Sequence, residues 1–187
     1  MNIPLLIRAD DVLQTSLFTK TQRVALQDKS MFEWFLDIDK EFEKYNYPMI
    51  LAVLSEGIDT EHEWVEHIKK NKHRYIIELH GGQHLKYGRL SREDLFNDLY
   101  WSKLKIEKAF NVKVSTWYVP FGRKGRNAYA EEVCKALEIN LGIPDRKVDA
   151  KLWFNDKALE HVNFHYWRED QNNHVKEILK QLCQKEK

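Results

Sequence analysis

At 187 residues, 43% of them hydrophobic, the chain is long enough to bury a core without disulfide or metal staples, and one domain over residues 1–187 is expected. Its 30 lysines and arginines nearly cancel its 29 aspartates and glutamates, so the basic footprint of a nucleic-acid binder is missing and nucleic acid is not an expected partner. Cys134 and Cys183 lack metal-ligand spacing, no apolar run reaches spanning length, and Met1-Asn2-Ile3-Pro4 leads straight into a strand; these point to a soluble, reduced, cytoplasmic protein with no membrane partner.

Ile3 to Ala9 is a short apolar run ending in Asp10 and Asp11, the pattern of a buried parallel strand. Asp11 to Lys29 has no clean period and reads as a long loop with at most a helical turn, of the length that is often functional. Ser30 then caps an amphipathic helix to about Tyr45 that buries Phe32, Phe35, Leu36, Ile38 and Phe42. A strand from Met49 to Leu54 follows Pro48, and a helix starting at Thr60 runs to about Lys72. Tyr75 to Leu79 is a third strand that delivers His80 at its end.

Ser91, followed by Arg92-Glu93-Asp94, opens a long helix to Phe110, with Leu95, Leu99, Leu104, Ile106 and Phe110 as its buried stripe. Val114 to Val119 is a fourth strand ending at Pro120-Phe121-Gly122. Asn127 to Leu137 reads as helix, Ile139 to Ile143 as a fifth strand, Lys151 to Phe154 as a sixth and His161 to Tyr166 as a seventh, before a helix to Gln184. Strands alternating with helices imply a mainly parallel α/β sheet of about seven strands, either open or a small, incomplete β/α barrel. Asp10, Asp11, His80, Pro120 and His165 all stand at strand ends, which such a barrel gathers on one face.

The chemistry concentrates in His80-Gly81-Gly82-Gln83-His84. Two imidazoles four positions apart can point the same way if the backbone between them turns helically, and with a distant carboxylate they form a hydrolytic metal set. Alone, the pair reads first as two histidines on a solvated loop; its position at the end of an apolar strand argues for the site.

With these residues in place, the chain resembles the polysaccharide deacetylase, or NodB-like, carbohydrate esterases. Arg8-Ala9-Asp10-Asp11 matches the family's strand ending in an aspartate pair, and His80 to His84 matches its histidine motif. Pro120-Phe121-Gly122 matches its proline-aromatic-glycine segment, and Val162-Asn163-Phe164-His165 its late strand ending in histidine. The resemblance implies a distorted β/α barrel, a divalent metal on Asp11, His80 and His84, Asp10 as general base and His165 as the acid that protonates the leaving amine. It places Tyr118, Pro120, Phe121, Gly122 and Arg123 against the substrate, with backbone N–H groups near Tyr118 to Phe121 receiving an oxyanion. Zinc is the first metal to expect, although the donor set also suits iron, cobalt, nickel or manganese.

Three family features are changed. Gly81 stands where a serine or threonine is usual. Trp117, Tyr118 and Val119 occupy the region of an arginine that steadies the catalytic aspartate, leaving Arg8 or Arg123 to supply that charge. The aspartate that orients the late histidine has no clear counterpart beyond Asp145 and Asp149.

Plainer readings stand beside these. Asp10 can be a turn cap, His165 a core histidine among Phe164, Tyr166 and Trp167, and Trp117 and Tyr118 core aromatics rather than a sugar platform. His62, His67, His73 and His174 read as solvated, and Arg123-Lys124-Gly125-Arg126 either as a solvated run or as a cradle for a substrate anion. The expectation is a metal-dependent hydrolase that removes an acyl group, N-acetyl above all, from an amino sugar or related carbohydrate. An inactive deacetylase-like module binding a glycan or anionic ligand is the alternative.

Overall fold

A computed structural model of the chain describes residues 5–15, 20–25, 29–142 and 161–184. Its centre is a parallel sheet of six strands: β1 (Leu6–Val12), β2 (Met49–Leu54), β3 (Tyr75–Gly81), β4 (Thr116–Trp117), β5 (Asn140–Leu141) and β6 (His161–Phe164). They lie in the order β5-β4-β3-β2-β1-β6, every pairing is parallel, and the sheet curls into a half-barrel. The chain steps outward from β1 to β5 and then returns to the other side of β1. The carboxyl end of β1 therefore lies where the strand order reverses, the position at which open α/β sheets bind ligands. Asp10 and Asp11 are in that end.

Among the described residues six helices accompany the sheet: α1 (Lys20–Ala25), α2 (Met31–Lys44), α3 (His62–Asn71), α4 (Arg92–Phe110), α5 (Ala130–Ala136) and α6 (Glu169–Gln184). The two-residue period of the strands sorts the sheet into two unlike faces. Ile7, Ala9, Leu51, Val53, Ile77, Leu79, Val162 and Phe164 belong to one large core built with α2 to α6. Ile50, Ala52, Tyr118 and Leu6 form a small cluster on the other face, where Arg8, Asp10, Glu78 and Asn163 are also buried. Register aligns these residues across strands, Arg8 opposite Ile50 and Asn163, and Ala52 opposite Glu78. Among the described residues no helix is long and apolar enough to cross a membrane.

Local chemistry explains most boundaries. Ser30 and Glu33 form a reciprocal capping box at the start of α2. Ser91 accepts from Asp94 N at the start of α4, and Asn111 ends it in the left-handed region. Asn127 does not begin a helix: its Oδ1 accepts from Tyr129 N, its amide donates to Tyr87 O and Leu90 O, and α5 starts only at Ala130. Thr60 closes a 3-10 turn rather than capping α3.

Several expectations are corrected. β1 runs further than the apolar run, so the aspartate pair is inside the strand end. The loop after it carries α1, and the strand expected at residues 151–154 lies outside the described residues, leaving six described strands. Leu104 is 38% exposed, because the buried stripe of α4 follows Leu95, Leu99, Ser102, Ile106 and Phe110 instead. Phe32 and Leu36 are only half-buried. His67 is not a solvated histidine; its Nε2 lies 2.9 Å from the buried Asp39, which also accepts from Arg74 and Tyr75.

β4 is far shorter than Val114 to Val119 because a side chain replaces its ladder. Buried Glu78 accepts from Ser115 N at 2.8 Å, Thr116 N at 2.7 Å and Ser115 Oγ at 2.5 Å. Burial pushes the Glu78 carboxyl above its ordinary range, against the pull of those three bonds. The folded chain thus holds this proton to higher pH than the unfolded one, so its contribution is present at low pH and lost as pH rises through that range. Glu78→Ala should lower stability by about 1–3 kcal/mol, since two strand amides lose their acceptor. Glu78→Gln, which keeps a carbonyl oxygen there, should be milder and should flatten the pH dependence. Urea denaturation of the three proteins across the acidic to neutral range tests both.

Candidate metal centre and active site

Asp11 sits in β1 with φ 62° and Leu13 follows at φ 63°, while the β1–β2 register slips between Ala9 and Val12. Aspartate tolerates the left-handed region better than most residues, but consecutive departures mark a constrained strand end. The result is a carboxylate only 2% exposed. Its Oδ1 lies 3.4 Å from His80 Nε2 and 3.1 Å from His84 Nε2, and its Oδ2 lies 3.7 Å from His165 Nε2. One ligand atom from each of Asp11, His80 and His84 falls within 4.8 Å of the others.

No helical turn links the two histidines. His80 is inside β3, and the chain bends after Gly81 to bring the rings within 5.6 Å. His80 Nδ1 lies 2.7 Å from the Tyr118 carbonyl, which can only accept. That bond puts the proton on Nδ1 and leaves the Nε2 lone pair aimed at Asp11. Gly81 has φ +124°, and a Cβ there would come within 2.0 Å of Tyr87 Oη. Tyr87 Oη in turn accepts from Gly82 N and donates to Asp98. The hydroxyl of Tyr87, in the 3-10 turn Tyr87–Arg89, thus braces the histidine loop in place of the serine or threonine expected at residue 81.

Asp10 points to the small inner face. Arg8 Nε donates to its Oδ1 at 2.5 Å and Arg8 Nη2 to its Oδ2 at 3.0 Å, a bidentate pair, and Asn163 Nδ2 donates to Oδ2 at 2.8 Å. Arg8 is wholly buried, with its guanidinium 4.0 Å from the centre of the Tyr118 ring. Of the two arginines considered for this role, Arg8 holds the aspartate. A carboxylate has about four acceptor positions, and three donors leave one. The strand period places residues 8 and 10 on one face, so this pair was readable from sequence. Asn163, two residues before His165, was readable in the same way.

His165 lies at the end of β6, half-buried beside Trp167, with ring centres 5.2 Å apart. Its backbone N–H donates to Gln171 Oε1 at 2.6 Å, and its Nδ1 lies 3.3 Å from the same oxygen. Among the described residues the partner of the late histidine is a neutral amide, invisible to a search for an aspartate; the two candidates for that role, Asp145 and Asp149, lie outside the described residues.

The Pro120 segment closes the site from the β4 side. Pro120 is buried, Phe121 and Gly122 are both left-handed, and the Phe121 ring packs 4.4 Å from His84 with 42% of its surface exposed. Tyr118 is buried on Arg8 and is not an exposed sugar platform; its N–H is spent on Leu79 O, as that of Gly122 is on Val119 O. Pro120 has no N–H, so Val119 and Phe121 carry the other amides of the expected oxyanion segment. Arg123 follows in a 3-10 turn, its side chain outside the described residues, and Arg126 pairs with Glu131.

The family model described as polysaccharide deacetylase matches residues 28–142, more than half of the chain. The chain belongs to this family. The matched span holds His80, His84 and the Pro120 segment, while Asp10, Asp11 and His165 lie beyond it and are joined to it by the fold. Solved structures agree. A mutant of BA3943, a CE4 family pseudoenzyme with restored enzymatic activity, has a TM-score of 0.67 at 12% identity, over 98% of this chain and 64% of that one. Wild-type BA3943 from Bacillus anthracis gives 0.66 at 12%, over 98% and 62%. The peptidoglycan deacetylase PdaC from Bacillus subtilis gives 0.64 at 16%, over 97% and 83%. A family 4 carbohydrate esterase from Streptomyces lividans in complex with acetate gives 0.65 at 12%, over 97% and 88%. Such identities establish the fold, and the chain spans less than two thirds of the BA3943 structures. No curated protein matches the sequence.

Electrostatics separate the two aspartates of this deacetylase-family site. Burial raises both carboxyls and is the largest influence on each. For Asp10 it is outweighed by the Arg8 charge, with help from His80, the Arg8 hydrogen bond and His165. For Asp11 the close approach of the His80 and His84 imidazoles, with the charges of His165 and His84, holds it well below the usual carboxylate range. Burial lowers His84 most, but Asp11, Asp10 and Glu56 together raise it above its ordinary value. Nearby His161 goes the other way, to about 4, through burial and the Arg8 charge.

These shifts predict opposite pH trends with and without a cation. In chelator the Asp11–His84 attraction stabilises the fold below the ordinary histidine range and is lost as pH rises through the raised His84 value. Binding of a divalent metal should strengthen over the same interval, because the imidazole must shed its proton first. Urea midpoints in chelator should therefore fall with rising pH more steeply for wild type than for His84→Gln, while zinc affinity by calorimetry rises.

Proposed function

We propose that the chain is a metal-dependent hydrolase that removes an acyl group, N-acetyl first among them, from an amino sugar or a related carbohydrate. The observation that carries this reading is Asp11 Oδ1, a buried carboxylate oxygen with no aligned hydrogen-bond donor among the described residues, facing Nε2 of both His80 and His84. One carboxylate and two neutral imidazoles suit a divalent cation, and zinc is the metal to test first. Asp11, His80 and His84 would hold it, and such an ion acidifies water and polarises an acyl oxygen.

The remaining roles belong to the chain. Asp10, kept ionised by Arg8 and with one acceptor position left, takes the proton of the attacking water. Arg8 and Asn163 fix its carboxylate in one orientation. His165, held through Gln171 on the opposite side of Asp11, donates a proton to the leaving amine. The exposed ring of Phe121 beside His84 offers the surface on which a sugar ring stacks, and the loop from Arg123 to Arg126 lies next to it. Family membership and the carbohydrate deacetylases among its structural neighbours support the substrate class.

A second reading, an inactive module that binds a glycan or anion, is favoured by two observations: the pseudoenzyme among the neighbours, and the uncharged Gln171 where a carboxylate is usual. Metal content and acetate release from N-acetylated sugars decide between them. The enzyme predicts about one divalent ion per chain and acetate release; retained sugar binding without release supports the module.

Two isosteric variants then separate the aspartates. Asp11→Asn should lose most of the metal, as a charged ligand becomes neutral. Asp10→Asn should keep it and lose about 10²–10⁴-fold in turnover, the usual contribution of a positioned base. Normal turnover in Asp10→Asn, with full metal in Asp11→Asn, would remove both assignments.

A further inference from the structure

The left-handed backbone at Asp11 must be held by something, because a strained strand end relaxes unless its surroundings over-determine it. Tyr166 is the holding group. Tyr166 Oη, wholly buried, donates to the Asp11 carbonyl at 2.7 Å. The ring has little freedom of its own: Phe35 and Trp64 meet it edge-on, with centres 5.8 Å and 5.7 Å away at 90° and 87°. Its backbone is pinned as well, since Asn172 Nδ2 donates to the Tyr166 carbonyl at 2.7 Å.

We infer that Tyr166 is a positioning residue for the metal centre: its hydroxyl fixes the Asp11 peptide so that the carboxylate stays between His80 and His84. This rests on the reading of Asp11, His80 and His84 as metal ligands. Rotating the Asp11 peptide toward ordinary extended backbone would swing both its carbonyl and its side chain, and the Tyr166 bond opposes that rotation at the carbonyl. Gln14 N also reaches this oxygen, but at 3.2 Å and from the adjacent turn of the same strand end, which would move with it. Tyr166 is anchored elsewhere, in the core and on α6. It also directly follows His165, so the same turn carries the imidazole that stands 3.7 Å from Asp11 Oδ2. One rigid corner therefore sets both sides of the site, without any charge of its own.

A matched control exists next to the same strand. Tyr47 Oη donates at 2.6 Å to the carbonyl of Leu5, the residue just before β1 and at the other end from the site. Tyr47→Phe and Tyr166→Phe each delete a hydroxyl hydrogen bond to a backbone carbonyl in or beside β1, and both keep the ring. The experiment is zinc titration of the chelator-stripped proteins by calorimetry, with circular dichroism to check the fold. Wild type and Tyr47→Phe should bind alike, and Tyr166→Phe about 10–100-fold more weakly, the scale on which outer partners of metal ligands act. In the loaded enzyme at saturating zinc, kcat should fall while KM for the sugar changes little.

Equal zinc affinity in all three proteins would overturn the role of Tyr166 and leave the metal centre standing. Equal weakening in both variants would also overturn it, showing a general loosening of β1. Absence of zinc binding in wild type would instead remove the metal reading itself. Should Tyr166→Phe fail to fold, Asn172→Ala loosens the same turn from α6 and should weaken zinc binding in the same direction; unchanged affinity there would refute the proposal.

Discussion

Two adjacent carboxylates, each almost without solvent contact, impose the demand that the rest of the site answers. Burying an unpaired charge is far more costly than any single packing gain, so each aspartate needs its own compensation. Their hydrogen-bond partners differ, although the charges of the histidines act on both. Asp10 draws Arg8 and Asn163 from the inner face of β1 and β6. Asp11, turned by its left-handed backbone, faces His80 and His84 from the loop after β3 and His165 from the turn after β6. Strand order, the bulge in β1 and the bend at Gly81 all serve that division.

The departures from the family pattern follow from relocation of function to other elements. The arginine stands on β1, two residues before its aspartate, where it also stacks on Tyr118 and so ties Asp10 to the segment after β4. The hydroxyl lost at Gly81 is replaced by Tyr87 Oη, which fills the space a side chain at residue 81 would need. Among the described residues the group at His165 Nδ1 is Gln171, a neutral amide.

How much could be read from sequence depended on whether the signal was local. The apolar runs of β2 and β3, the capping box at Ser30 and the cap at Ser91 are short-range patterns, and the elements they mark appear within a residue or two of expectation. The meeting of Asp11, His80 and His84 was legible because three strand-end signals needed only a parallel sheet to converge. Glu78 was not: its side chain takes over hydrogen bonds that strand pairing normally makes, so β4 shrinks although its residues favour a strand. Gln171 and Tyr166 were missed for a related reason. Neither a neutral amide nor a tyrosine in an aromatic run carries a pattern that distinguishes positioning from packing.

Strain and unmet electrostatic demand also bear on whether the site is active. Replacing buried charged groups by well-packed apolar ones is often neutral or stabilising, so a site kept only for its fold gains nothing from two buried carboxylates. Here the inner end of β1 retains both, together with a buried oxygen on Asp11 lacking an aligned donor and positive φ at Asp11, Leu13 and Phe121. Strained backbone of this kind persists where the surroundings over-determine it, and it gathers at functional sites. A glycan-binding module would need the exposed Phe121 and the basic loop but not the orphaned Asp11 oxygen. A hydrolase with a bound cation would satisfy that oxygen and the two imidazoles at once. Without a cation the site is compensated only in part, through the Asp11–His84 attraction at low pH, so the arrangement suits a loaded centre better than a bare one.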